Sequence, residues 1–143
     1  MPDPFRLQRF LDAQEGVWQT ALSELKDGRK RTHWIWFIFP QMRGLGLSST
    51  SEFYGLTSLD EARAYLAHAV LGARLATCTQ AVLAHRGHSA LAIFGSPDEM
   101  KLRSSMTLFD AASADRDNPY REVLRRFFDD APDPRTLELI GKT

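Results

Sequence analysis

From His33 to Gly46 the chain reads His-Trp-Ile-Trp-Phe-Ile-Phe-Pro-Gln-Met-Arg-Gly-Leu-Gly, directly after Arg29, Lys30, Arg31 and Thr32. The stretch Trp34 to Phe39 is apolar on both faces whether it is coiled or extended, so any fold this chain adopts must bury it and build around it. Periodicity does not choose its conformation. Thr32 would cap a short buried helix that Pro40 ends, while the β-branched and aromatic content equally suits a buried strand. The run is far too short to span a bilayer as a helix. His33, Gln41 and Arg43 stand at its edges and a Gly-Leu-Gly turn follows, and polar groups beside apolar walls are how small-molecule pockets are made.

Elsewhere Ser, Asp, Asn, Pro and Gly divide the chain into short helical pieces, with few sustained period-two alternations. The pattern predicts a mainly α fold, a compact single-domain bundle of about eight short helices covering residues 1–143. Asp3 can cap a first helix with Pro4 at its first position, running to Gln14, and Val17, Trp18, Ala21, Leu22 and Leu25 recur at helical spacing before Gly28. Ser51 opens a turn that ends near Gly55. Ser58 and Glu61 form a capping-box pattern ahead of Leu59–Ala67, and a helix over Val70–His85 follows. Ser89 caps a turn through Phe94 that Gly95 stops, and Ser96-Pro97-Asp98-Glu99 is the strongest helix start in the chain. Asn118-Pro119 begins a helix with a Tyr120, Val123, Leu124, Phe127, Phe128 stripe, and Asp133-Pro134 begins the last one.

At 143 residues the chain is long enough to bury roughly 70% of its unfolded surface as one domain. Eighteen basic residues balance eighteen acidic ones, which argues against nucleic acid or an anionic membrane as a partner and leaves room only for a local cationic patch. Cys78 is the sole cysteine, which excludes an internal disulfide and reads as a small core residue. With no basic segment and apolar run at Met-Pro-Asp-Pro-Phe-Arg, the expected location is cytoplasmic. His68, His85 and His88 lack metal-ligand spacing, and Gly44-Leu45-Gly46 lacks the third glycine of a dinucleotide loop, so neither a metal nor another cofactor is predicted.

The chemistry-bearing candidates fall into two groups. From Lys101 the sequence runs Lys-Leu-Arg-Ser-Ser-Met-Thr-Leu-Phe, placing Lys101 and Arg103 near a helix amino terminus, where the partial positive charge favours acids. They either await an anionic group, or are solvated while Asp98 and Glu99 satisfy the dipole. On that helix Lys101, Ser104 and Ser105 share one face and Leu102, Met106 and Phe109 another. In the aromatic block, His33 reads either as an acid, base or phosphate donor or as a helix-terminal residue bonding backbone. Arg43 either grips a phosphate or carboxylate or closes an internal ion pair. Trp34 and Trp36 would be walls, with Gln41 and Arg43 held rigid by the aromatic anchor.

Three blocks, Arg29 to Gln41, Glu-Ala-Arg-Ala-Tyr-Leu from Glu61, and Lys101 to Phe109, together resemble the DUF1810 family in order and spacing over nearly the whole chain. The resemblance implies a small, mainly helical domain of bacterial type with no assigned function. The label calpastatin attached to some members finds no counterpart here, since no segment resembles a protease inhibitor. The family pattern His-Pro-Val-Leu-Gly is replaced by His68-Ala69-Val70-Leu71-Gly72, which puts the helix break there in question.

Two functions of different class follow. In the first, His33, Trp34, Trp36, Gln41, Arg43, Lys101, Arg103, Ser104 and Ser105 bind, and in one version hydrolyse, a small phosphate-bearing or nucleotide-like anion in a polar-aromatic pocket. In the second, the same blocks specify packing and a surface for another protein, without catalysis. Convergence of the polar side chains around one cavity is what separates them.

Overall fold

In a computed structural model, which describes residues 3–141, the described chain forms ten helices and no strand: α1 Gln8–Gln14, α2 Trp18–Lys26, α3 Ile35–Ile38, α4 Ser49–Tyr54, α5 Leu59–Ala67, α6 Leu71–Leu83, α7 Ala90–Phe94, α8 Asp98–Ala112, α9 Pro119–Phe127 and α10 Pro134–Gly141. The mainly α reading holds, with two more helices than the approximate count expected. The excess lies in one-turn pieces such as α3, a helix of four residues rather than a strand. Thr32 does not cap it; its hydroxyl and backbone N–H both donate to Glu24.

Local signals explain most boundaries. Ser58 and Asn118 accept from the N–H groups of Glu61 and Arg121, opening α5 and α9, and Ser89 does the same for α7. Gly28 and Gly95 stop α2 and α7 with φ of 78° and 74°. Asp3 accepts from Leu7 and Gln8, yet α1 starts at Gln8 and not at Pro4, because Arg6 at φ 53° breaks the helical path. The break between α5 and α6 survives without proline: His68 Nδ1 accepts from the N–H groups of both Val70 and Leu71 at 3.2 Å. A Cβ on Gly72 would lie 2.2 Å from the Leu66 carbonyl oxygen, so glycine alone permits the tight elbow.

The long helix α8 is the axis of the molecule and packs against α5, α7, α9 and α10. Its Leu102, Met106 and Phe109 are fully buried, as the spacing required. Phe10, Tyr65, Phe109 and Tyr120 form a chain of ring contacts through the core, and Trp34, Phe39 and Phe94 form a second aromatic cluster. Cys78 is buried on α6, and burial pushes its thiol up to about 12, so it acts as a small apolar residue. No single helix among the described residues is long and apolar enough to cross a membrane.

Candidate functional site

The aromatic block meets α8 through a small charge cluster. Lys30 follows α2, and its ammonium reaches Asp98 at 2.8 Å, the Thr32 carbonyl at 2.6 Å and the face of Trp34 at 4.9 Å. Asp98, at the start of α8, also pairs with Lys101 one turn on, at 3.2 Å. Burial opposes ionisation of Asp98, but Lys30 and then Lys101 outweigh it and hold the carboxyl below its usual range. Two ammonium groups thus share one carboxylate. Among the described residues Lys101 has this single anionic partner, and it sits with Nζ 4.1 Å from the ring centroid of Trp36, a cation on an aromatic face.

Trp36 is half-buried and carries a second set of neighbours. It lines a slot with Gln41, Met42, Leu45, Gly46, Ser51, Tyr54 and Gly55, whose volume of about 10 Å³ is room for one water-sized atom. Gln41 is 7% exposed, and its Nε2 is buried without a hydrogen-bond partner. The slot is roofed by the segment from Arg43 to Leu47. Its base is tied by the parallel bridge between Met42 and Leu56, with Arg43 N–H donating to the Leu56 carbonyl at 2.8 Å. Gly46 lies so close to Ser51 that a Cβ would stand 2.8 Å from it and 3.6 Å from the Trp36 ring.

The structure brings together only part of the set the sequence nominated. Trp36, Gln41 and Lys101 share one indole, and Arg43 stands at the start of the roof. Arg43 is exposed, forms no ion pair among the described residues, and uses Nε on the Glu52 carbonyl at 3.1 Å. Trp34 is instead entirely buried, with its indole N–H donating to Glu24. His33 lies on the surface. Arg103 and Ser104 face α10: Arg103 donates to the Ala131 and Pro132 carbonyls at 2.8 Å each, and Ser104 Oγ lies 2.9 Å from Asp133 Oδ2. Ser105 is buried with its hydroxyl unpartnered.

Sequence reasoning missed Ser51 and Tyr54 of the slot and the part Lys30 and Asp98 play. Asp98 at i−3 from Lys101 was a visible signal; the pairing of Lys30 with Asp98 was not. It also missed a cavity of about 620 Å³ between the end of α6 and the start of α9, lined in part by Gln80, Arg86, Asn118, Glu122 and Arg126. That groove mixes both charge signs, and Arg126 already donates to the Leu83 carbonyl. The Trp36 slot is far smaller, but its wall holds a buried donor with nothing to bond, which is the stronger chemical signature. Among the described residues no cluster of three or more His, Cys, Asp or Glu side chains could hold a metal ion.

An all-helical fold built on the Arg29–Gln41, Glu61–Leu66 and Lys101–Phe109 blocks defines the class. The chain belongs to the DUF1810 family, whose model, described as a protein of unknown function, matches residues 4–140. It is similar to the crystal structure of the conserved hypothetical protein Rv1873 from Mycobacterium tuberculosis, with 48% identity and a TM-score of 0.95 over 99% of this chain and all of that one. No curated protein matches it.

Proposed function

We propose that this protein binds a small phosphate-bearing anion at Trp36, with Lys101 as the charged contact and Arg43 at the rim. The observation that carries the reading is the placement of Lys101 over Trp36 while sharing Asp98 with Lys30. The cluster keeps one positive charge in excess, and an ammonium with one carboxylate partner retains donors for an incoming oxygen. The indole supplies a flat apolar wall beside that charge, the composition expected of a ligand site. Arg103 and Ser104, spent on the α10 connection, have no part in it.

Thermal denaturation with inorganic phosphate and ribose 5-phosphate tests the reading. A ligand at one hundred times its dissociation constant adds about 2.7 kcal/mol, a rise of roughly 10 °C in a domain of this size. Lys101→Met should abolish the rise and Arg43→Ala should reduce it. Absence of any rise with either anion, or an equal rise in Lys101→Met, contradicts the proposal.

One observation favours a second reading, a surface for another protein: Leu47 at the tip of the segment before α4 is wholly exposed and Phe53 on α4 is 46% exposed, apolar area that a partner would take out of water. A change in sedimentation on Leu47→Ser, with anion response intact, would favour it.

A further inference from the structure

We infer that the slot behind Gly44–Leu47 is a second compartment of the same site, in which Gln41 reads a carbonyl oxygen on a flat group carried by the anion. The inference rests on the anion reading above and names the class of ligand.

The donor comes first. A buried amide N–H without a partner costs about 1–3 kcal/mol, so Gln41 Nε2 has a standing demand for an acceptor. The neighbouring groups do not meet it: neither the Ser51 nor the Tyr54 hydroxyl lining the slot accepts from Gln41, Ser51 Oγ being turned to donate to the Ser48 carbonyl at 2.8 Å, and the remaining lining is mostly apolar or glycine. A single water can satisfy the donor, and the slot as it stands holds one.

The roof makes room for more. Among the described residues, 44–47 make no side-chain hydrogen bond or ion pair, and neither Gly46 nor Leu47 makes a backbone hydrogen bond. Leu47 at the tip touches solvent on all sides and Gly44 takes φ 103°, a conformation open to glycine and few others. Both ends of this segment are fastened, one by the Met42–Leu56 bridge and the other by Ser48, whose Oγ caps α4 by accepting from Ser51 at 3.1 Å. Leu45 packs against the core and Leu139 of α10 lies beside Gly44, so the strap lifts by giving up the Leu45 contact, while its fastened ends and its unbonded tip at Gly46 and Leu47 leave the helices in place. When it lifts, it exposes Gln41, the Trp36 edge and Tyr54 together, two rings and one donor suited to a planar, carbonyl-bearing group. Because the same indole carries Lys101 on its face, the carbonyl and the phosphate of one ligand straddle Trp36.

Calorimetric titration with uridine 5′-monophosphate and with ribose 5-phosphate separates the two claims. The wild type should bind the uridine compound about tenfold more tightly, the worth of one good neutral hydrogen bond plus stacking. In Gln41→Met that preference should fall to about two- to threefold, the part that stacking alone supplies, while affinity for ribose 5-phosphate stays within about twofold. Gln41→Asn, which keeps the amide but withdraws it by one methylene, should lie between and guards against a variant that fails to fold. Equal affinity for both ligands in the wild type, or an undiminished preference in Gln41→Met, overturns this inference and leaves a slot that holds water, with the anion reading intact. Failure of ribose 5-phosphate to bind at all overturns the anion reading itself.

Discussion

The two flanks of the aromatic block are built on opposite principles. On the amino-terminal flank Glu24 is buried and accepts four hydrogen bonds, from the N–H of Arg31 at 2.7 Å, the N–H of Thr32 at 3.0 Å, the Thr32 hydroxyl at 2.7 Å and the Trp34 indole at 3.0 Å. Every one of those groups is satisfied, and the segment is nailed to α2. On the carboxyl-terminal flank Gln41 is just as buried, yet its Nε2 bonds nothing and the strap above it is unbonded in the middle. The contrast teaches how to tell scaffold from site in a chain that offers no catalytic motif: saturated buried polar groups fix a fold, and unsaturated ones wait for a partner. The two tryptophans divide along the same line, Trp34 spent in the core and Trp36 shared with Lys101 and the slot.

The largest effect should come from emptying the saturated flank. Glu24→Ala leaves the Trp34 indole and the Arg31 and Thr32 N–H groups without their acceptor and should cost about 3–4 kcal/mol, read by calorimetry as a fall in Tm of more than about 10 °C. Acid should reproduce part of this. Burial raises the Glu24 pKa, but the hydrogen bonds overcome it and bring the group from 4.5 to about 2. A carboxyl with a depressed folded pKa stabilises above its unfolded value and loses that contribution as pH falls through the folded one. Tm should therefore decline between about pH 5 and pH 2, and Glu24→Gln should decline less steeply over that interval.

Next in size are the two lysines, which should part company. Lys30, with a side chain 5% exposed and three partners, should cost about 2 kcal/mol as Lys30→Met. Lys101, 25% exposed, should cost under about 1 kcal/mol yet remove the thermal response to phosphate. Equal stability losses would erase the distinction between a structural and a binding cation. The smallest effect belongs to Gln41→Met, which replaces an unpaired donor by an apolar side chain of similar length and should leave Tm unchanged or slightly raised.

How much of this was legible in the sequence follows the range of each interaction. Ser58 and Asn118 act on residues three positions away, so α5 and the start of α9 fall where their caps put them. Ser96 also stands ahead of a helix, but it does not cap α8; Pro97 occupies the N-cap after a cis bond, with no side-chain cap bond. Val70, spaced as a core residue, is 39% exposed because α6 turns a different face inward once His68 has set the elbow. Helical spacing nominated Lys101, Ser104 and Ser105 as one face, with Arg103 as a second cation near the helix start. Their fates diverged through partners invisible locally, Trp36 for Lys101 and the Ala131–Asp133 turn for Arg103 and Ser104. Gln41 and Arg43 drew attention as polar residues anchored by an aromatic run, but only three-dimensional packing shows that Gln41 is buried and unpaired while Arg43 is exposed.

The most direct test of the division between the flanks is nuclear magnetic resonance of the side-chain N–H groups while uridine 5′-monophosphate is added. The Gln41 amide protons should shift saturably, together with the backbone N–H groups of residues 44–47, while the Trp34 indole N–H, held by Glu24, stays in place. A Trp34 signal that moves as far as that of Gln41, or a Gln41 amide that does not respond at saturating ligand, would contradict the account.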